Sequence, residues 1–156
     1  MNLVPACHFC NDKKKAKHPA NAGQQTFHPY YDQHLLDESW VSAQVKLEAP
    51  GDPPVVVFEA RPPAHWSLDD QRRVEHHFNA CGLAVTFAAN ACDELSTLRR
   101  LLSQLGAAGG RAAVHDHLTH QRDANQWRIN SWQYAMYTAL SDDAWFVGGG
   151  YLCIPQ

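Results

Sequence analysis

The spacing of apolar residues changes character along the chain. Trp40 to Leu47 reads Trp-Val-Ser-Ala-Gln-Val-Lys-Leu, and Val55 to Glu59 reads Val-Val-Val-Phe-Glu. Short runs rich in β-branched and aromatic residues suit a pleated, half-buried surface. The intervening Glu-Ala-Pro-Gly-Asp-Pro-Pro is a strong turn signal, so residues 40–60 are predicted to form a β-hairpin with a long loop. Beyond Ser67 the period becomes helical. Ser67 with Asp69 and Asp70 makes a capped, acidic helix start, Val74, Phe78 and Cys81 recur at helical spacing, and Gly82 closes the helix. Phe87, Ala91, Leu95, Leu98, Leu102 and Leu105 form one stripe over 83–105, with Gly106 as its stop and 107–110 as a flexible linker. Val114 and Leu118 mark a short helix over 111–121. Ile129, Trp132, Met136 and Leu140 mark a last one, broken by Asp142-Asp143 and Gly148-Gly149-Gly150.

The first 39 residues carry little helical pattern. Pro5 and the pair Cys7 and Cys10 suggest a loop or knuckle over 1–10. Asn11 can cap a short helix with Asp12 in its first turn, running to Lys17 and ended by His18-Pro19, because a residue before proline is pushed out of the α region. Residues 19–39 are mixed and are expected to wrap the surface. The reading is an α+β fold in a single domain over 1–156: a metal knuckle in 1–39, a β-hairpin over 40–60, and a packed, mainly helical region over 67–156.

Composition narrows the function classes. With 45% hydrophobic and 19% charged residues in 156, the chain fits an ordinary globular protein. No window approaches the ~20 consecutive apolar residues of a membrane helix. The basic residues follow the first apolar stretch, the reverse of a secretory signal, so a cytoplasmic location is expected. A net charge of -3 gives no global field toward nucleic acid, but Lys13, Lys14, Lys15 and Lys17 make a local basic patch beside the cysteine pair. Five cysteines, one tight pair and three scattered, do not form a disulfide framework. In a reducing compartment a C-x2-C pair is more naturally a metal or redox site.

A C-x2-C turn lets two thiolates converge on one tetrahedral zinc, but supplies only two of its four ligands. The stretch Asn2-Leu3-Val4-Pro5-Ala6-Cys7-His8-Phe9-Cys10-Asn11-Asp12-Lys13-Lys14, followed by Phe27-His28-Pro29-Tyr30-Tyr31-Asp32, resembles bacterial HNH (ββα-metal) endonucleases. The resemblance continues through Trp40 and the hairpin, His77-Phe78 after an Arg-Arg-Val-Glu run, and Asn130-Ser131-Trp132. It implies a partial ββα-metal unit in which Cys7 and Cys10 are half of a structural Zn²⁺ site. Asn2 then helps hold the catalytic loop, Asn11 ligates a catalytic Mg²⁺ or Mn²⁺, and Lys14 contacts a phosphate. It also implies hydrolysis of a DNA phosphodiester, with the metal steadying charge and a histidine deprotonating water. A bacterial or phage origin follows, with scope for a defence role beside an ATPase partner.

In that family a first C-x2-C and a D-H-x-x-P segment come before this point. No D-H-x-x-P occurs here; the only Asp-His dipeptide is Asp116-His117, in a predicted helix. Loss of a general base commonly costs ~10² to 10⁴ in rate. The chain alone is therefore expected to be weak or inactive, either because the start was placed too late in a longer gene or because it is a remnant. Two other readings stand beside the enzyme: a zinc-knuckle module binding nucleic acid or a protein partner, and a degenerate fragment.

The remaining candidates read more simply as structure. Cys7 and Cys10 could be small buried residues, and a solvated helix face is the default for the lysine run. His28 could ligate a metal or act in catalysis, but a hydrogen-bonded structural role fits as well; His18 or His28 could complete a zinc shell. His117 and His120 sit at i,i+3, close enough to share a metal, yet with His115 they fit a polar helix face better. His76 and His77, adjacent on a helix, cannot both chelate one ion. The five tryptophans are expected in the core, and Cys81, Cys92 and Cys153 as buried thiols. The glycines at 148–150 lack a phosphate-loop context.

Overall fold

Valine-rich strands find their pairing through the alternation of buried and exposed positions. In the computed structural model, which describes residues 8, 12, 19–28, 31–49 and 51–155, β1 (Val41–Lys46) and β2 (Val55–Ala60) pair antiparallel. The register sets Val41 against Ala60, Ala43 against Phe58 and Val45 against Val56. Val41, Val56 and Phe58 are buried on that face, while Ser42, Gln44 and Glu59 take the other, since side chains alternate along a strand. The turn contains Gly51 at φ 94°.

Helices cover the apolar face of the hairpin. The first, α1 (Leu68–Ala80), starts where Ser67 Oγ accepts the Asp70 amide proton at 3.1 Å, and the hydroxyl itself donates to the Asp70 carboxylate at 2.7 Å. Gly82, at φ 62°, takes the left-handed turn that lets the next helix start at once. The stretch α2 (Leu83–Ala124) holds two helical segments that meet at Gly110, as the two helices expected over 83–105 and 111–121 require, each longer than expected. Its buried stripe is Ala91, Leu95, Leu98, Leu102, Val114 and Leu118, and it packs on β2 and on α3 (Trp132–Asp142), which covers β1. A four-residue α4 (Ala144–Val147) and a 3-10 turn (Gly150–Cys153) close the core around Phe146 and Tyr151. The architecture is α+β, a two-stranded hairpin on packed helices.

Several expectations are corrected. Gly106 does not stop the first helix, and 107–110 is not a linker: helical backbone continues to Gly110, whose φ of 65° and ψ of -157° end the first segment, and the expected second helix follows to Ala124. The reason for Gly106 is space, because a Cβ there would collide with the hydroxyl of Tyr151. The last long helix begins at Trp132 rather than Ile129, set by Ser131, whose hydroxyl accepts the Tyr134 amide proton at 3.2 Å. Trp40 is buried, but Trp127 and Trp145 are exposed. Cys81 is buried as expected, whereas Cys92 and Cys153 are exposed. His8 is helical where a loop was expected, and Asp12 is helical as expected.

Residues 19–39 do more than wrap the surface. They form 3-10 turns at Ala22–Gln24 and Gln33–Leu36 and bury Gly23, Asp32 and Leu35. Among the described residues no helix is long and apolar enough to cross a membrane.

Candidate functional site

Asn2, Cys7, Cys10, Asn11, Lys13, Lys14, Lys15 and Lys17 all lie outside the described residues. What the structure places is the downstream half of the motif, Phe27, His28, Tyr31 and Asp32, together with its supports. Phe27 stacks on His77 of α1, ring centroids 4.5 Å apart and nearly parallel, and its amide N–H donates to His77 Nδ1 at 3.2 Å. Trp40 meets both stacked rings at near right angles, its ring 5.5 Å from Phe27 and 6.5 Å from His77. Trp40 is itself fixed by its indole N–H donating to the Leu35 carbonyl at 2.9 Å.

The turn that follows closes on its own backbone. The amides of Tyr31 and Asp32 donate to the His28 carbonyl, and the His28 amide donates to Asp32 Oδ2 at 2.7 Å. The same carboxylate oxygen meets Arg73 of α1 at 2.5 Å, both side chains being close to nine-tenths buried. Asp70 lies 3.6 Å from the other guanidinium nitrogen. Burial alone would raise the Asp32 pKa. The Arg73 hydrogen bond, the His28 amide and the positive charges of Arg73 and His34 outweigh it and hold the carboxyl below its usual value. Asp32 is thus a committed ion-pair partner that locks this segment to α1. The His28 ring lies against Tyr31 at 4.5 Å.

A second clamp joins the hairpin to α3. Asn130 Oδ1 accepts the amide protons of Trp40 at 2.7 Å and Val41 at 3.2 Å, and its Nδ2 donates to the Glu38 carbonyl at 2.9 Å. One carboxamide therefore completes the start of β1, giving Asn130-Ser131-Trp132 a structural reason: Asn130 clamps the strand and Ser131 caps the helix. The Glu38 side chain accepts from Trp66 Nε1 at 2.9 Å and meets His65 Nε2 at 3.0 Å. The Trp66 hydrogen bond leads in lowering its pKa.

Sequence reasoning singled out Asp32 only as part of a motif and did not foresee its pairing with Arg73. The partners are 41 residues apart, and no local pattern links them. The histidines of α2 separate: His115 is exposed beside Asp116, while His117 is half-buried and its Nε2 has no hydrogen-bond partner. Desolvation, and then the charge of His120, lower the His117 pKa. Among the described residues no group of three or more His, Cys, Asp or Glu is placed to hold a metal ion.

The chain matches no protein-family model, no curated protein and no solved structure. What the described site can do chemically is position: it holds Phe27, His28 and Asp32 against α1 and the hairpin.

Proposed function

We propose that the chain carries one half of an HNH-type, metal-dependent DNA endonuclease site. The observation that carries this reading is the stretch Asn2-Leu3-Val4-Pro5-x-Cys7-x-x-Cys10-Asn11-x-x-Lys14, followed by Phe27-His28-Pro29-Tyr30-Tyr31-Asp32. The donor chemistry fits in part. Cys7 and Cys10 offer two soft thiolates to a structural zinc that needs two more ligands, and Asn11 offers a hard oxygen suited to Mg²⁺ or Mn²⁺. Anchoring of Phe27 and Asp32 on α1 supports the reading, because a catalytic loop must be held by rigid elements.

In this reading Cys7 and Cys10 would tie the loop through a structural zinc, Asn2 would brace it, Asn11 would hold the catalytic ion, and Lys14 would neutralise a phosphate oxygen. When bound, the catalytic ion supplies charge stabilisation at the scissile phosphate and the leaving oxygen. Water attacks phosphorus and the P–O ester bond breaks; the water proton passes to a histidine that these 156 residues do not supply in an Asp-His-x-x-Pro context, and the leaving oxygen takes up a proton from solvent.

The test is nicking of supercoiled plasmid with Mg²⁺ or Mn²⁺ by two proteins: this chain, and the chain extended at its N-terminus by a segment carrying Cys-x-x-Cys and Asp-His. The extended protein is expected to nick DNA and to lose activity on Asn11→Ala, with the chain alone slower by at least ~10². A zinc-loaded extended protein that leaves the plasmid intact refutes the enzyme reading. Binding without cleavage would favour a zinc-knuckle binding module.

A further inference from the structure

The first part of α2 presents a polar face that the core does not use. Ser96, Arg99, Arg100, Ser103 and Gln104 follow one another at helical spacing and so share one stripe. They border a cavity of about 640 Å³ with Pro155 at its margin and no carboxylate in its wall. Among the described residues neither arginine forms an ion pair, although acidic residues outnumber basic ones in the chain, 16 to 13. Arg99 Nε is buried with no hydrogen-bond acceptor.

The hydroxyls of Ser96 and Ser103 are turned back onto the carbonyls of Cys92 and Arg99, at 3.0 and 2.8 Å. The donors facing the cavity are therefore two guanidinium groups and the Gln104 carboxamide. A pair of guanidiniums with no carboxylate is a poor arrangement for stability alone, since a buried donor left unpaired is costly. It is a good one for an oxyanion, because the planar fork of arginine matches phosphate oxygens two at a time. The stripe is elongated: from Ser96 to Ala107 it runs about 16 Å at the helical rise. A length of that order suits a run of polymer backbone better than a single small ion.

We infer that Arg99 and Arg100 bind phosphates of a nucleic-acid backbone, giving DNA a contact on the helical region separate from the lysines at 13–17. The inference rests on the nuclease reading for its choice of polymer, but its test does not depend on cleavage.

Binding of a fluorescent DNA duplex to the full chain is followed by anisotropy across a salt series, without Mg²⁺ or Mn²⁺. Each phosphate contact contributes about 0.9 to the slope of log affinity against log salt. Arg99→Gln/Arg100→Gln is expected to lower the slope by about 1.8 and to weaken binding alike for unrelated sequences, while Arg99→Lys/Arg100→Lys restores most of the slope. Arg100→Gln alone, at an exposed position, covers the case in which the double variant fails to fold and is expected to remove about 0.9. Inorganic phosphate is titrated in parallel. An unchanged slope, no binding of duplex by the unmodified chain, or arginine-dependent binding of inorganic phosphate with the duplex slope unchanged each overturns the inference. Cleavage by the extended protein with an unchanged slope sinks this inference alone; a lowered slope without cleavage sinks the nuclease reading alone.

Discussion

Replacing Arg73 by methionine tests how the Phe27–Asp32 segment is held. The substitution keeps an apolar stem but leaves the Asp32 carboxylate, only 11% exposed, without its cation. Breaking a fully buried pair by removing one partner costs about 3–5 kcal/mol. Here the His28 amide still donates to the carboxylate and a little water reaches both groups, so the lower end applies, about 3 kcal/mol. For a chain of this size that lowers Tm by about 6–12 °C. Asp32→Asn removes the charge while keeping an acceptor for the His28 amide, so Asp32→Asn/Arg73→Met should recover part of the loss. A double-mutant cycle by urea unfolding reads the coupling, and hydrogen exchange should rise first in residues 27–36. The acid limb gives a second readout. The folded Asp32 pKa lies below the unfolded value of 3.8, so its contribution is present above that pH and is lost as pH falls through the folded pKa. Asp32→Asn should flatten stability there. An Arg73→Met protein within 0.5 kcal/mol of the parent on the ordinary surface scale, or a double variant showing no coupling, refutes the reasoning.

Three further outcomes are expected. Asn130→Ala removes three hydrogen bonds at the start of β1 and should cost about 3 kcal/mol by urea midpoint; Asn130→Asp, which keeps the acceptor for both amides, should cost less. Gly106→Ala, which gains up to about 1 kcal/mol at an open helix position, should instead destabilise by about 1–2 kcal/mol through collision with the Tyr151 hydroxyl, and Tyr151→Phe should relieve part of this. The unfolded chain protonates His117 near 6.5 and the folded chain only at lower pH, so stability should decline as pH falls below 6.5 through the window down to the folded pKa. His117→Leu should weaken that dependence in urea midpoints taken at about pH 7 and about pH 5.

Local signals were legible and long-range ones were not. The valine run at 55–57 and the turn before it located the hairpin, and Ser67 located a helix start, because each works through neighbours a few residues away. Gly106 was read as a stop because a glycine near a helical stripe can end it or make room for a neighbour. Only the position of Tyr151 decides between these. The glycines at 109 and 110 suggest a linker, yet helical backbone reaches Gly110, and that one residue, at φ 65° and ψ -157°, separates the two helical segments. Trp127 was assigned to the core on residue type alone, but it sits exposed in the 3-10 turn Gln126–Arg128, its ring 4.8 Å from the Arg128 guanidinium. Of the candidate site, the cysteine motif rests on the sequence alone, since Asn2, Cys7, Cys10 and Asn11 lie outside the described residues. The site's anchors, Arg73 on Asp32 and His77 on Phe27, lie 41 and 50 residues away and follow from packing that no short pattern encodes.

The proposed nuclease site stands or falls on whether the thiolates of Cys7 and Cys10 bind zinc. Zinc K-edge absorption of the N-terminally extended protein reads this directly. The account predicts one zinc per chain with four sulfur neighbours near 2.3 Å, with the metal lost on Cys7→Ser/Cys10→Ser. A shell of nitrogen and oxygen alone, or a zinc content unchanged by that double substitution, would contradict it.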